Sequence, residues 1–182
     1  VIIKEESAAY VAVQSLVFKW KKKIALVTTV DYVSVGKFRT DGYIKALVDN
    51  DIAVDENLII KIENVDNCEI TIAQLLEEKG IDAVFAVNEL FAVTIIKIAN
   101  KMGIKVPEDL AVIAFTDGII SKYSTPTITT VSQNGAEMGS VAAKILIERL
   151  ESEEDETQDE EQDEIYKTVV IETHLIERES TL

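Results

Sequence analysis

Cysteine and histidine occur once each in this chain, as Cys68 and His174. A lone cysteine excludes an internal disulfide framework and fits a reducing compartment. With no second thiol and no paired imidazole, Cys68 reads as an inert residue. A lone histidine leaves no His-based metal spacing and no Cys–His pair. His174 reads as a surface or sheet-edge residue. Only seven glycines are present. They form no Gly-rich phosphate loop, and the Gly-x-Ser-x-Gly elbow is missing as well. No apolar run approaches the roughly 20 residues that span a bilayer. The opening VIIKEESAAY lacks the basic, apolar and cleavage regions of a secretory signal. It reads instead as a strand end running into a helix. No catalytic constellation, cofactor or metal is expected.

What the chain does contain is a core and an uneven charge. Hydrophobic residues make up 47% of its 182 residues, enough for one well-packed domain. The formal net charge is −15. Ten of the acidic residues lie in one run, Glu151 to Glu164. Without them, 23 acidic residues face 18 basic ones, a balance of −5. The run reads as a solvated, self-repelling loop. It has neither the alternating acidic spacing nor the central glycine of a calcium loop. An acidic body argues against nucleic-acid binding by this segment itself. The one basic cluster, Lys19 to Lys23 around Trp20, reads as a solvated turn with Trp20 partly buried.

Periodicity gives alternating helices and strands. Glu6–Val17 places Ala9, Ala12, Val13, Leu16 and Val17 on one helical face. Ile24–Val27 reads as a buried strand, Val35–Asp49 as a helix with Phe38, Ala46 and Leu47 inward, and Leu58–Ile62 as a strand. Ile70–Lys79 reads as a helix closed by Gly80. The block from Gly80 to Gly139 is the most informative. Apolar runs at 83–87 and 110–115 flank an amphipathic stretch from Glu89 to Met102, which is one βαβ unit. Gly103 ends its helix and Pro107 starts a turn. Thr127–Ser132 and Thr168–Ile171 are rich in β-branched residues and read as further strands. Asn134–Leu150 is a helix with Met138, Val141, Ala142, Ile145 and Leu146 on one side. The pattern predicts an α/β fold, a three-layer αβα sandwich on a mostly parallel, flavodoxin-like sheet of about five strands. Ligands of such sheets bind at the carboxyl ends of the strands.

The chain resembles the effector-binding region of the LacI/GalR family of bacterial transcriptional repressors. Lys22–Leu26 resembles that family's basic pair and following strand. Phe38–Leu47 resembles its R-x-x-G-[YF]-x-x-A-L helix, and Phe85–Ala92 its F-x-x-N-D-x-x-A element. Gly103–Phe115 resembles G-x-x-V-P-x-D-x-x-V-x-G-[FY]. Pro126–Gly139 resembles P-x-L-T-T-V-x-Q with a downstream M-G, and Leu175–Ser180 resembles the closing L-I-x-R-x-S. Six matches in order, at compatible spacing, make the resemblance specific. It implies one lobe of a type I periplasmic-binding-protein-like fold. Residues 1–133 would form the C-terminal lobe. Residues 134–182 would supply the helix, acidic loop and final strand that normally complete the two-lobe domain. The helix-turn-helix headpiece and most of the first lobe would lie outside this chain. The exposed face of helix 134–150 would then be covered by another copy or fold back.

The resemblance further implies a cytoplasmic regulator that senses a sugar-like metabolite, acts as a homodimer and controls operator binding allosterically. DNA would be held through the headpiece alone, and no membrane partner is expected. Leu90, Val93, Thr94 and Lys97 are candidates for the dimer surface. A periplasmic sugar-binding protein of an ABC transporter shares the fold and is the alternative. An enzyme of flavodoxin-like fold would need a nucleophile or metal cluster.

Five residues are candidate ligand contacts. Arg39 carries a planar guanidinium with paired donors for hydroxyls, carboxylate or phosphate. Asn88 offers both a donor and an acceptor. Glu89 stands where the family has Asp; it is either a contact or a first-turn acid stabilised by the helix dipole. Thr116 stands where the family has its ligand-contacting Asp. Asp117 either substitutes for that Asp or caps the next turn. Val65 occupies the slot of a stacking aromatic, for which Tyr32 and Phe38 are possible replacements.

Overall fold

The computed structural model describes residues 1–30, 34–77, 80–155 and 168–182. Tyr32, the side chain of Val65 and most of the acidic run lie outside the described residues. In chain order the elements are α1 (Glu5–Phe18), β1 (Ile24–Thr29), α2 (Ser34–Asp49), β2 (Ile59–Ile62), α3 (Cys68–Glu77), β3 (Ala83–Ala86), α4 (Glu89–Met102), β4 (Ala111–Phe115), α5 (Ile119–Tyr123), β5 (Thr129–Ser132), α6 (Gly135–Asp155) and β6 (His174–Ile176). The strands form one six-stranded sheet in the order β2-β1-β3-β4-β5-β6. β1 to β5 run parallel and β6 runs antiparallel to β5. The chain steps outward from β1 to β2 and then returns past β1 to β3. That reversal opens a crevice at the carboxyl ends of β1 and β3.

Parallel strands covered by helices on both faces read as continuous apolar runs. That is why β3 and β4 were legible: every residue from Ala83 to Ala86 and from Ala111 to Phe115 is buried. One ladder row runs Ile59–Leu26–Phe85–Ile113–Thr129 across the sheet. Full burial of an Ile, Leu or Phe side chain contributes about 1.5–3 kcal/mol. On one face α1 packs against α2, with Ala9 at the contact and Ala8 and Ala12 also buried. The two helices approach so closely that a Cβ on Gly42 would lie 2.8 Å from the Ala9 Cβ and 3.0 Å from the Tyr10 nitrogen. The Tyr43 hydroxyl donates to the Ile24 carbonyl at 2.8 Å, fastening α2 to β1. On the other layer α4 packs against both α3 and α5. Gly103, at φ 75°, ends α4 in the left-handed conformation that favours glycine.

Four expectations need correction. The sheet has six strands rather than about five, and the last strand is His174–Ile176 rather than 168–171. The apolar run 168–171 pairs with the chain start instead: Ile2 N–H donates to Val169 O and Ile171 N–H to Ile2 O, each at 2.9 Å. Phe38 does not face inward. The buried stripe of α2 runs through Gly36, Arg39, Thr40, Tyr43, Ala46 and Leu47, which leaves Phe38 47% exposed on the opposite side. Trp20 is 85% exposed, at the tip of the α1–β1 turn, rather than partly buried. On α6, Met138 and Val141 pack against the core, whereas Leu146, Ile147 and Leu150 are exposed. The helix therefore does not fold back along its length. No described helix is long and apolar enough to cross a membrane.

Candidate functional site

The five candidate residues all gather at the carboxyl edge of the parallel strands, but most of their polar atoms are already engaged. Arg39 lies in the second turn of α2 and is only 7% exposed. Its Nε donates to Glu5 Oε2 at 2.8 Å, and its Nη1 donates to the Val87 carbonyl, just past β3, at 2.6 Å. The guanidinium carbon stands 3.7 Å from the centre of the Phe115 ring, at the end of β4. Stacking on an aromatic face and hydrogen bonding from the edges are both properties of a planar guanidinium. Arg39 thus ties α1, α2, β3 and β4 together at the crevice.

Asn88 is the N-cap of α4. Its Oδ1 accepts the Phe91 N–H at 2.8 Å, which satisfies one of the helix's orphan donors. Glu89 extends across to the β4–α5 loop. Its Oε1 accepts the Gly118 N–H at 2.6 Å and the Ser121 N–H at 3.1 Å. A Cβ at Gly118 would come within 2.9 Å of the Glu89 carboxyl carbon, so only glycine leaves room for this brace.

Thr116 follows β4 with φ 77°. A β-branched residue in that region is strained, at a cost of about 1–3 kcal/mol, and persists only where its surroundings hold it. Here its N–H donates to Val131 O and its Oγ1 donates to Gln133 Oε1, each at 3.0 Å. Asp117 is a tether. Its Oδ1 accepts from Arg178 Nη2 at 2.6 Å and from Thr130 Oγ1 at 3.0 Å, while Lys122 Nζ lies 3.3 Å from Oδ2. Burial opposes ionisation of Asp117, but Arg178, Thr130 and Lys122 outweigh it and hold the carboxyl below the usual range.

Arg178 also donates from Nη1 to Ile128 O at 2.8 Å and to Thr130 Oγ1 at 3.0 Å. Two residues on, buried Ser180 donates to Val112 O at 2.6 Å and accepts the Thr129 N–H at 2.9 Å. The closing segment is thereby stapled to β4 and β5 beneath the Thr116–Asp117 loop. Sequence reasoning did not single out Glu5, Gln133 or Arg178. Gln133, the polar residue directly after β5, carried the same positional signal as Asn88. Arg178 is the R of the closing L-I-x-R-x-S match, without a role attached to it, and for Glu5 no local signal existed.

A cavity of about 590 Å³ opens beside this edge, lined among others by Lys4, Glu5, Ser34, Val35, Phe38 and Met138. None of the five candidates lines it, and Glu5 connects it to Arg39. Thr28 Oγ1, near the carboxyl end of β1, is buried without a hydrogen-bond partner. Among the described residues no group of His, Cys, Asp or Glu is placed to hold a metal ion.

Residues 13–181 match the family described as periplasmic binding protein-like domain. The HTH-type transcriptional regulator MalR of Clostridium butyricum is 34% identical over 98% of this chain and 51% of its own length. A transcriptional regulator CelR–cellobiose complex superposes with a TM-score of 0.83 at 28% identity, covering 98% of this chain and 52% of that one. The regulator CcpA of Lactococcus lactis gives the same TM-score and identity, over 99% of this chain and 63% of its own. The chain spans about half the length of the curated relatives it matches. It belongs to the periplasmic binding protein-like domain family and corresponds to the effector-binding region of LacI-family transcriptional regulators.

Proposed function

We propose that this chain is the effector-sensing part of a cytoplasmic transcriptional regulator that takes a neutral, sugar-like metabolite. The observation that carries this reading is the crevice at the β1/β3 reversal. Arg39 reaches the Val87 carbonyl there, one residue before Asn88, and Glu5 links it to a cavity of about 590 Å³. Of the five candidates, Arg39, Asn88 and Thr116 keep a role in ligand contact. Glu89 and Asp117 brace the rim of the crevice, since their carboxylates serve Gly118, Ser121 and Arg178.

Ligand binding controls DNA binding only if the ligand prefers one arrangement of the intact protein over another. DNA contact belongs to a region outside this chain, read by a dimer on a two-fold operator. The dimer surface falls on the α3/α4/α5 layer, where Leu90 is 43%, Ile70 65% and Tyr123 83% exposed. Thr94 is buried, and Lys97 is paired to Glu69 at 2.6 Å, so neither leads that surface. The relatives, being regulators, favour this reading over a transporter component.

The test is a titration of the full-length protein with neutral mono- and disaccharides, followed by mobility shift on its own promoter DNA. A sugar that binds and changes DNA affinity supports the reading. Binding of no neutral sugar, or binding that leaves DNA affinity untouched, contradicts it.

A further inference from the structure

Among the described residues, Glu5 alone both lines the cavity and holds Arg39. It opens α1, and its side chain is only 14% exposed, against 8% for Arg39. The guanidinium is constrained three ways: by Glu5 at Nε, by the Val87 carbonyl at Nη1 and by the Phe115 face. The charge on Arg39 is therefore met inside the protein before any ligand arrives. Glu5 meets the guanidinium through Oε2, and the residue itself lines the cavity. The other charged side chains lining the cavity are Lys4 and Glu6.

We propose that Glu5 is a ligand-contacting and charge-selecting residue, held in place by Arg39. This rests on the reading of the crevice as an effector site. An ionised carboxylate accepts hydrogen bonds and donates none, so it suits the hydroxyl groups of a neutral ligand. The same carboxylate repels a phosphate or a carboxylate ligand that approaches Arg39. Without Glu5, the Arg39 guanidinium behind the cavity would favour an anion. With Glu5 in place the cavity is a site for neutral polyhydroxylated molecules.

The experiment uses this chain and two kinds of probe. Glu5→Gln keeps an acceptor for Arg39 Nε and removes the charge. Calorimetric titration with inorganic phosphate should show binding to Glu5→Gln about tenfold or more tighter than to the unaltered chain. The double variant Glu5→Gln with Arg39→Gln should lose that gain. Phosphate binding equal in the single variant and the unaltered chain overturns the proposal. In the second arm, cellobiose and maltose are titrated into the unaltered chain and Glu5→Ala. Any sugar that binds should bind Glu5→Ala about tenfold more weakly, as expected for a lost charged hydrogen bond; unchanged affinity overturns the proposal. If neither sugar binds, the effector reading fails in this chain while the phosphate arm still decides the role of Glu5. Circular dichroism of each variant at the titration temperature, matching the unaltered chain, establishes that the fold is intact even where loss of the pair lowers the melting temperature.

Discussion

Arg39 lies flat over Phe115, its guanidinium carbon 3.7 Å from the ring centre, while its edges reach Glu5 and the Val87 carbonyl. One side chain from α2 thereby fixes the ends of β3 and β4 relative to α1. Replacing Arg39 with Ala leaves the Glu5 carboxylate without its partner and strips the Phe115 face. Urea unfolding should show a loss of about 3 kcal/mol, the cost of breaking a largely buried pair. Arg39→Lys keeps the charge but not the fork, and should fall between the two. A loss under about 0.5 kcal/mol for Arg39→Ala, the level of an ordinary surface change, would mean that the pair is not formed in solution.

Glu89 and Gly118 should show strong coupling. Gly118→Ala forces the Glu89 carboxylate off its two N–H donors, and Glu89→Ala removes it altogether. Each single change should cost about 1–3 kcal/mol. Because both break the same brace, the double variant should cost little more than either alone. Additive losses would contradict this geometry.

The Asp117 tether sets an acid limit. Its folded pKa is lowered, so its contribution is fully present above the ordinary carboxylate value of about 4 and is lost as pH falls through the lower folded value. Asp117→Asn should reduce stability at neutral pH and flatten the fall in stability below about pH 4. An unchanged acid slope in urea titrations at several pH values would show that Arg178 does not hold this carboxylate.

Thr116 stores strain at the rim. Asn tolerates the left-handed region better than a β-branched residue. Thr116→Asn should therefore stabilise the chain by about 0.5–1 kcal/mol, seen as a higher urea midpoint with unchanged slope. A lower midpoint would mean that the Oγ1 bond to Gln133 outweighs the strain.

Local pattern revealed the scaffold because its causes are local. Two-sided burial made β3 and β4 continuous apolar runs, and Asn88 and Gly103 marked the two ends of α4 by capping chemistry. The run at 168–171 misled because β-branched composition signals extended backbone but not its partner. That backbone pairs with Ile2, while the edge of β5 is taken by His174–Ile176. The five candidate positions stand out in the sequence as residues just past strands or early in a helix, but their hydrogen-bond partners do not. Arg39 finds Glu5 across 34 residues, and Asp117 finds Arg178 across 61. Such pairings appear only when the sheet brings its strand ends together. They commit the Glu89 and Asp117 carboxylates to Gly118, Ser121 and Arg178, and they bring Glu5 against Arg39.

The most direct test is an amide NMR titration of this protein with cellobiose and maltose, chosen as neutral polyhydroxylated probes. A bound sugar should shift Glu5, Gly36, Val87, Asn88 and Thr116 first, at the carboxyl edge of β1, β3 and β4, and should move the Arg39 Nε–H signal with them. Shifts centred elsewhere, such as the hollow between Asp55 and Leu75, or no response to any neutral sugar, would contradict an effector site at this edge.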